Sequence, residues 1–371
     1  MKQSFAEILQ QVENRRSRKL QDKLPAWAEV SGLTLPSDLC LEQCSSEATA
    51  RFKAGLLDSP ASIADLTGGI GADCWAFSQV AGKVLYFEQN PELAAAAQSN
   101  FAKLGISNIH TQCAHTDETL IASLPELEWI YLDPARRDNA GRKVFLLEDC
   151  TPDVLTLLPA LWQKTSRIML KLSPMADMSL IARRLGGELE EMHVVSLQGE
   201  VKELLCILVK GNDRPFGIHV HVLDSGASLT FSPADENSAR ATAGQPTEGG
   251  YLFEPCAALL KAGAFRLPCR LWGLGKFAPF THLYTCQAAL PESAAPFFRS
   301  YRILRAEQMS GAMLKEFGKA WPKADVSARN IPMTSEQLKA KLKCAPSNDG
   351  THIFGCTVGQ SRWLIACRKV Q

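Results

Sequence analysis

Short apolar runs alternate with helical stretches along residues 56–210. The runs have the length of buried strands, and the stretches between them have the 3.6-residue period of helices. Strict alternation of strand and helix predicts a parallel α/β sheet that is covered on both faces. The predicted strands are Ser62–Leu66, Val84–Glu88, Ile109–Cys113, Trp129–Asp133 and Arg167–Leu172, and the predicted helices are Ala72–Val80, Pro91–Leu104, Asp117–Leu124, Asp153–Trp162 and Met178–Leu185.

The end of this region has a different pattern. The apolar runs His193–Leu197 and Leu204–Val209 flank the tripeptide Gln198-Gly199-Glu200, which allows a turn close by. No helix separates the two runs, so they predict a hairpin that places one antiparallel strand at the end of the sheet.

The flanking regions predict further units. Residues 1–55 have helical periodicity, and the alternation in Ile218–Val222 predicts a half-buried strand. Residues 232–250 are polar and rich in Gly, Ser, Thr and Pro, which predicts a long loop. Residues 299–371 predict a last unit of strands and helices, with Thr334 and Gln337 forming a capping box. We therefore predict four domains, which comprise residues 1–55, 56–210, 211–298 and 299–371.

Composition changes this picture through the distribution of charge. With 46% hydrophobic and 21% charged residues, the chain of 371 residues is not of the disordered or fibrous class. The net charge of +1 conceals an asymmetry, because residues 56–210 carry 13 basic and 20 acidic side chains and residues 299–371 carry 13 basic and 5 acidic ones. A basic C-terminal unit favours a polyanionic partner.

The cysteines and the apolar runs bear on the compartment. Twelve cysteines include no C-x-x-C pair, so the spacing predicts neither a disulfide framework nor a metal site. No apolar run is long enough for a signal peptide or for a membrane span. We expect a cytoplasmic protein without a metal or a membrane partner.

The strongest chemical signal is the turn DLTGGIG, which runs from Asp65 to Gly71 between the first strand and its helix. Glycines there let the backbone approach a ligand at a helix N-terminus. Asp65 disfavours a pyrophosphate but suits a cationic ligand, and Glu88 at the end of the second strand suits ribose hydroxyls. Together they predict S-adenosylmethionine (SAM). The alternative is a tight turn with a satisfied carboxylate.

The fourth strand leads into DPARR, which begins at Asp133, at the sheet edge where ligands bind in open α/β folds. DLTGGIG, Glu88 and DPAR resemble the motifs of class I SAM-dependent methyltransferases, DPAR being similar to a motif of enzymes that methylate nucleic-acid bases. This resemblance implies a Rossmann-like seven-stranded sheet of order 3-2-1-4-5-7-6. The implied cofactor contacts are Asp65, Thr67, Gly68, Gly69, Gly71, Glu88 and Asp117. For the adenine contact, His115 remains the alternative to Asp117.

The whole chain resembles bacterial class I methyltransferases that carry a THUMP-like C-terminal domain. The matching stretches are 133–137, 147–154, 170–178, 199–205, 253–265, 281–285 and 328–342. The resemblance implies a ferredoxin-like middle domain in 211–298 and a THUMP-like domain in 299–371, a type of domain taken to bind structured RNA.

These patterns predict a SAM-dependent methyltransferase that modifies a base of tRNA or rRNA. Asp133 and the Pro134 carbonyl are expected to hold the target amine, and Arg136 either clamps a phosphate or forms a structural salt bridge. Lys171 either lines the same pocket or is ion-paired, and a structural ion pair is expected for Lys202 and Glu203. The candidate RNA contacts, for which a solvated surface is the alternative, are Lys315, Lys319, Arg329, Lys339 and Lys343. Competing hypotheses are a protein or small-molecule substrate and a non-catalytic RNA-binding module.

Overall fold

The computed structural model describes residues 5–135 and 147–370. They group into two compact units. The first extends to His193 and includes Lys202–Phe216, and the second contains Val194–Val201 and continues from Gly217. The division into four domains remains a prediction.

The first unit contains every strand and helix that the pattern over 56–210 predicts, with ends shifted by at most four residues. Its strands are β1 Ser62–Asp65, β2 Lys83–Glu88, β3 Ile109–Cys113, β4 Trp129–Leu132, β5 Arg167–Leu172, β6 Leu189–Leu197 and β7 Glu200–Val209. Its helices are α1 Phe5–Lys23, α2 Pro25–Ala28, α3 Asp38–Gln43, α4 Glu47–Ala54, α5 Ala72–Ser78, α6 Pro91–Lys103, α7 Glu118–Ser123, α8 Val154–Leu161 and α9 Met178–Leu185.

The sheet of this unit has the topology that the resemblance implied. β1 pairs in parallel with β2 and β4, β3 and β5 lie outside them, and β7 runs antiparallel to β5. The order of these seven strands is β3-β2-β1-β4-β5-β7-β6. Two further strands, β8 Gly217–Val222 and β9 Ala227–Phe231, belong to the second unit and pair antiparallel with each other. The alternation over Ile218–Val222 predicted β8.

The N-terminal helices share the core of the first sheet. All four residues of β4 are buried, as are Ile63 and Ala64 of β1, which is typical of parallel strands covered on both faces. Trp27 of α2 contacts Trp75 of α5 edge to face, with ring centroids 6.4 Å apart. Side chains of α2, α3 and α4 are thus buried in the core of the first unit.

The second unit contains an eight-stranded sheet of order β10-β12-β13-β11-β14-β17-β16-β15. Its strands are β8 Gly217–Val222, β9 Ala227–Phe231, β10 Thr242–Ala243, β11 Tyr251–Pro255, β12 Gly275–Ala278, β13 Thr281–Cys286, β14 Phe298–Gln308, β15 Asp325–Arg329, β16 Thr351–Val358 and β17 Ser361–Lys369. Its helices are α10 Pro233–Ser238, α11 Ala257–Lys261, α12 Leu267–Trp272, α13 Gly311–Ala320 and α14 Ser335–Leu342.

Two local predictions in this unit have different outcomes. The long loop over 232–250 was wrong, because the segment contains α10 and β10, and Ser232 and Asp235 cap α10 reciprocally. The capping box of Thr334 and Gln337 is confirmed at the start of α14. The polar composition concealed α10 because a short capped helix can lack an apolar face.

Helices α13 and α14 approach each other closely. Phe317, Leu338 and Leu342 are buried in one core with residues of β16 and β17. A Cβ atom at Gly318 would lie 2.0 Å from the Leu342 carbonyl oxygen, so this contact requires glycine.

None of the helices in the described ranges has the length and apolar content needed to span a bilayer.

We expect Gly318→Ala to lower the free energy of unfolding by about 1–3 kcal/mol, because a backbone carbonyl must move to admit the methyl group. Gly311→Ala is the matched control, since a Cβ there meets no atom within 4 Å. Urea unfolding of both variants measures the difference. Equal stabilities would contradict the close packing of α13 on α14.

Candidate active site

The turn between β1 and α5 has a shape that its glycines make possible. Gly69 and Gly71 have φ angles of +56° and +89°, in the left-handed region. A Cβ at Gly68 would lie 2.1 Å from the Tyr86 ring, and one at Gly71 would lie 2.3 Å from the Phe101 ring. A Cβ at Gly69 would meet no atom within 4 Å. The turn is therefore packed tightly against aromatic rings at Gly68 and Gly71, and it is open beside Gly69.

Asp65 holds this turn from inside. The side chain is buried, its Oδ1 accepts a hydrogen bond from the Thr67 amide at 2.9 Å, and its Oδ2 accepts one from the Cys74 thiol at 3.3 Å. Burial raises the pKa of Asp65 to about 7. The carboxyl group thus shapes the loop on which a ligand would lie.

Glu88 ties the end of β2 to the same turn. Its Oε2 accepts a hydrogen bond from the Gly69 amide at 2.9 Å, and its Oε1 accepts one from the Asn90 amide at 2.8 Å. The Tyr86 hydroxyl donates to the Gly69 carbonyl at 2.5 Å. Each carboxylate oxygen has a second lone pair, so Glu88 can still accept hydrogen bonds from two hydroxyl groups of a ligand.

Thr67 joins the turn to the end of β4. Its hydroxyl accepts a hydrogen bond from the Asp133 amide at 2.6 Å and donates one to Asp65 at 3.3 Å. Pro134 is buried, and Ala135 exchanges backbone hydrogen bonds of 2.7 and 3.0 Å with Thr151. Asp133 is consequently fixed against the glycine turn, while Arg136 lies outside the described residues.

The two candidates for the adenine contact have different environments. Asp117 is exposed and caps α7, accepting a hydrogen bond from the Leu120 amide at 2.8 Å. The His115 ring is hydrogen-bonded to Gln89, the residue after Glu88, at 2.8 Å. His115 is therefore the candidate that lies beside the end of β2.

A buried charge cluster, consisting of Lys53, Asp73, Asp133, Lys171 and Glu203, lies behind the site. Lys171 donates a hydrogen bond to Oδ2 of Asp133, so the ion-paired alternative for Lys171 is observed. Lys53 is fully buried, with its Nζ 2.7 and 2.9 Å from the two Glu203 oxygens and 3.2 Å from Asp73. Glu203 thus pairs with Lys53, which the sequence did not single out.

The cluster sets the charge of its members. Burial alone would lower the pKa of Lys171, but Asp133, Glu203 and Asp73 outweigh it and raise that pKa. Burial would likewise raise the pKa of Asp73, yet Lys53 and Lys171 outweigh it and lower the value. Lys171 is therefore an ammonium ion at neutral pH.

The C-terminal basic candidates are not equivalent. Lys315 and Lys319 are exposed on α13, and Lys339 is half-buried on α14. Helix α14 ends at Leu342, and Lys343 at its C-cap has a left-handed backbone conformation. The Arg329 guanidinium is paired with Glu254 at 2.7 Å. Arg329 is therefore engaged in an ion pair, and the lysines of this set are more available to bind phosphate.

No cluster of three or more His, Cys, Asp and Glu side chains in the described ranges is arranged to hold a metal ion.

Known structures identify the fold. A candidate methyltransferase from Porphyromonas gingivalis W83 is 33% identical, with a TM-score of 0.85 over 96% of this chain and 89% of that chain. An rRNA methylase from Streptococcus thermophilus is 15% identical, with a TM-score of 0.33 over 44% of this chain and 94% of that one. A candidate methyltransferase from Streptococcus mutans, solved with S-adenosylhomocysteine (SAH), is 15% identical, with a TM-score of 0.34 over 44% and 96%. No curated protein matches the chain.

Family models match the C-terminal half. A ferredoxin-like domain matches residues 251–292, and a THUMP domain-like model matches residues 298–369. The fold and the relative from Porphyromonas gingivalis define the protein as a methyltransferase of the SAM-dependent class. The chain belongs to the family of that relative. In this chain, a methyltransferase fold is combined with ferredoxin-like and THUMP-like C-terminal domains.

The raised pKa of Asp65 gives a pH dependence. A buried carboxyl with a pKa of about 7 stabilises the fold most when it is protonated, and this contribution is lost as the pH rises toward 7. Relative to Asp65→Asn, we expect the wild-type free energy of unfolding to fall by about 1.4 kcal/mol per pH unit between pH 5 and 7. Urea unfolding at pH 5, 6, 7 and 8 measures this. Parallel pH profiles would contradict the burial of Asp65.

Proposed function

We propose that this protein transfers the methyl group of SAM to structured RNA, either tRNA or rRNA. The observation that carries the proposal is the hydrogen bond between the Thr67 hydroxyl and the Asp133 amide. It joins the turn proposed to hold the cofactor to the strand end proposed to hold the methyl acceptor. In a direct transfer, donor and acceptor must lie side by side.

The cofactor is proposed to lie along the open side of Gly69. Glu88 is available to the ribose hydroxyls, and His115 or Asp117 faces the adenine. Asp65 and Thr67 hold the loop in shape, and Gly68 and Gly71 allow it to pack against Tyr86 and Phe101. When bound, SAM supplies an activated methyl group.

The acceptor is proposed to lie against Asp133 and the Pro134 carbonyl, with Arg136 at a neighbouring phosphate. The resemblance of DPAR to a motif of base-methylating enzymes supports a base as the acceptor. A ribose hydroxyl is the competing candidate, and the lysine ammonium that Asp133 binds supports it instead. A protein or small-molecule substrate remains the alternative to RNA.

RNA binding is proposed for the basic surface of the THUMP-like domain. Lys315, Lys319 and Lys343 are exposed, and the segment from 299 to 371 has a net charge of +8. Such a surface binds phosphates without reading sequence.

All twelve cysteines are free thiols, which supports a location in the reducing cytoplasm.

The first test of this function removes the acceptor carboxylate. We expect Asp133→Ala to abolish the transfer of tritiated methyl groups from SAM to RNA, while SAM affinity changes by less than tenfold (about 1.4 kcal/mol). The exposed Glu92→Ala, on α6, is the control and should retain activity. A collapse of SAM affinity in Asp133→Ala would instead place Asp133 among the cofactor contacts.

The second test concerns the RNA surface. In the double variant Lys315→Glu/Lys319→Glu, we expect weaker RNA binding and a salt dependence of log affinity that is lower by about 2, because two phosphate contacts are lost. Lys83→Glu/Lys369→Glu makes the same charge change at exposed lysines outside α13 and α14. Equal salt slopes for the two double variants would show that α13 does not bind RNA.

A further inference from the structure

We infer that the methyl acceptor is a hydroxyl oxygen of RNA, the ribose 2′-hydroxyl, and that Lys171 and Asp133 act on it as a catalytic pair. The inference rests on the proposed function, since it takes RNA to be the substrate. The 2′-hydroxyl is the free hydroxyl that every internal ribose of RNA carries.

The first observation is the partner of the acceptor carboxylate. Lys171 occupies Oδ2 of Asp133, so an acceptor atom held by the other oxygen also lies close to an ammonium group. An attacking nitrogen gains positive charge as its bond to the methyl carbon forms, and a neighbouring ammonium opposes this. An oxygen that is losing its proton gains negative charge, which an ammonium stabilises.

The second observation is the buried charge cluster, whose carboxylates favour the ammonium form of Lys171. Lys53 is fully buried against Glu203 and Asp73, and the Tyr131 hydroxyl donates to Asp73 at 2.9 Å. A buried ion pair contributes little net stability, because desolvation offsets the attraction between its charges. A dense cluster behind a catalytic carboxylate is therefore better explained by function.

The step balances without another reactant. The hydroxyl oxygen attacks the methyl carbon of the sulfonium, the carbon–sulfur bond breaks with its electron pair on sulfur, and an ether forms. The hydroxyl proton passes to Oδ1 of Asp133, whose side chain is 36% exposed and can release it to solvent. Lys171 remains protonated and donates to the oxygen. Lys53, Glu203 and Asp73 are positioning residues, because they act through Lys171 and Asp133.

The product distinguishes the acceptors. The full chain is incubated with tritiated-methyl SAM and with total RNA from a strain that lacks the gene, and the RNA is then hydrolysed in alkali. A 2′-O-methyl group blocks cleavage of the adjacent phosphodiester, so we expect the label in alkali-stable dinucleotides and, by mass spectrometry, in 2′-O-methylnucleosides. Label in mononucleotides with a methylated base would overturn the inference but leave the proposed function standing. Unlabelled RNA would overturn both.

Variants separate catalysis from folding. We expect Lys171→Met to lower kcat at least 100-fold with SAM affinity within threefold, and full activity in this variant would overturn the inference. Glu203→Gln should lower kcat while the KM for RNA and the SAM affinity stay within threefold, because Lys171 loses a charge that favours its ammonium form. Lys83→Met, at an exposed lysine of the first unit, should leave kcat and both affinities unchanged. An unchanged kcat in a Glu203→Gln protein with wild-type melting temperature would contradict the positioning role.

Discussion

A single buried lysine organises the first unit. Lys53 of α4 meets Glu203 of β7 and Asp73 of α5, and these carboxylates also act on Lys171 at the end of β5. Removing one partner of a buried ion pair typically costs about 3–5 kcal/mol, since the charge left behind is uncompensated. The N-terminal helices, the glycine turn and the last strands of the first sheet therefore depend on one another through charge as well as through apolar packing.

The same interaction connects the fold to the chemistry. The cluster holds Lys171 as an ammonium against Asp133, and Thr67 holds the backbone of Asp133 against the glycine turn. A methyl transfer needs its two reactants held in register more than it needs a strong acid or base. The glycine turn and Asp133 follow the neighbouring parallel strands β1 and β4, and this placement holds the two reactants side by side.

Local signals in the sequence were sufficient for the sheet of the first unit and for the position of the site. Short apolar runs between helical stretches predicted β1 to β7. The acidic residues Asp65 and Glu88, at the ends of β1 and β2, and Asp133, directly after β4, marked the ligand edge. Other features depend on partners far away in sequence. Lys53 and Glu203 are 150 residues apart, and Glu254 pairs with Arg329 from another strand, so spacing gave no indication of either pair. The left-handed turn at Lys343 has no glycine to mark it.

The most direct measurement is calorimetric titration of the full chain with SAM. We expect one molecule of SAM to bind per chain, and we expect Glu88→Ala to weaken this binding at least tenfold, since Glu88 both shapes the turn and is available to the ribose. Asp153→Ala, which removes the N-cap of α8, should change the affinity little. An absence of binding at millimolar SAM, or equal affinities for wild type and Glu88→Ala, would contradict a cofactor site at the glycine turn.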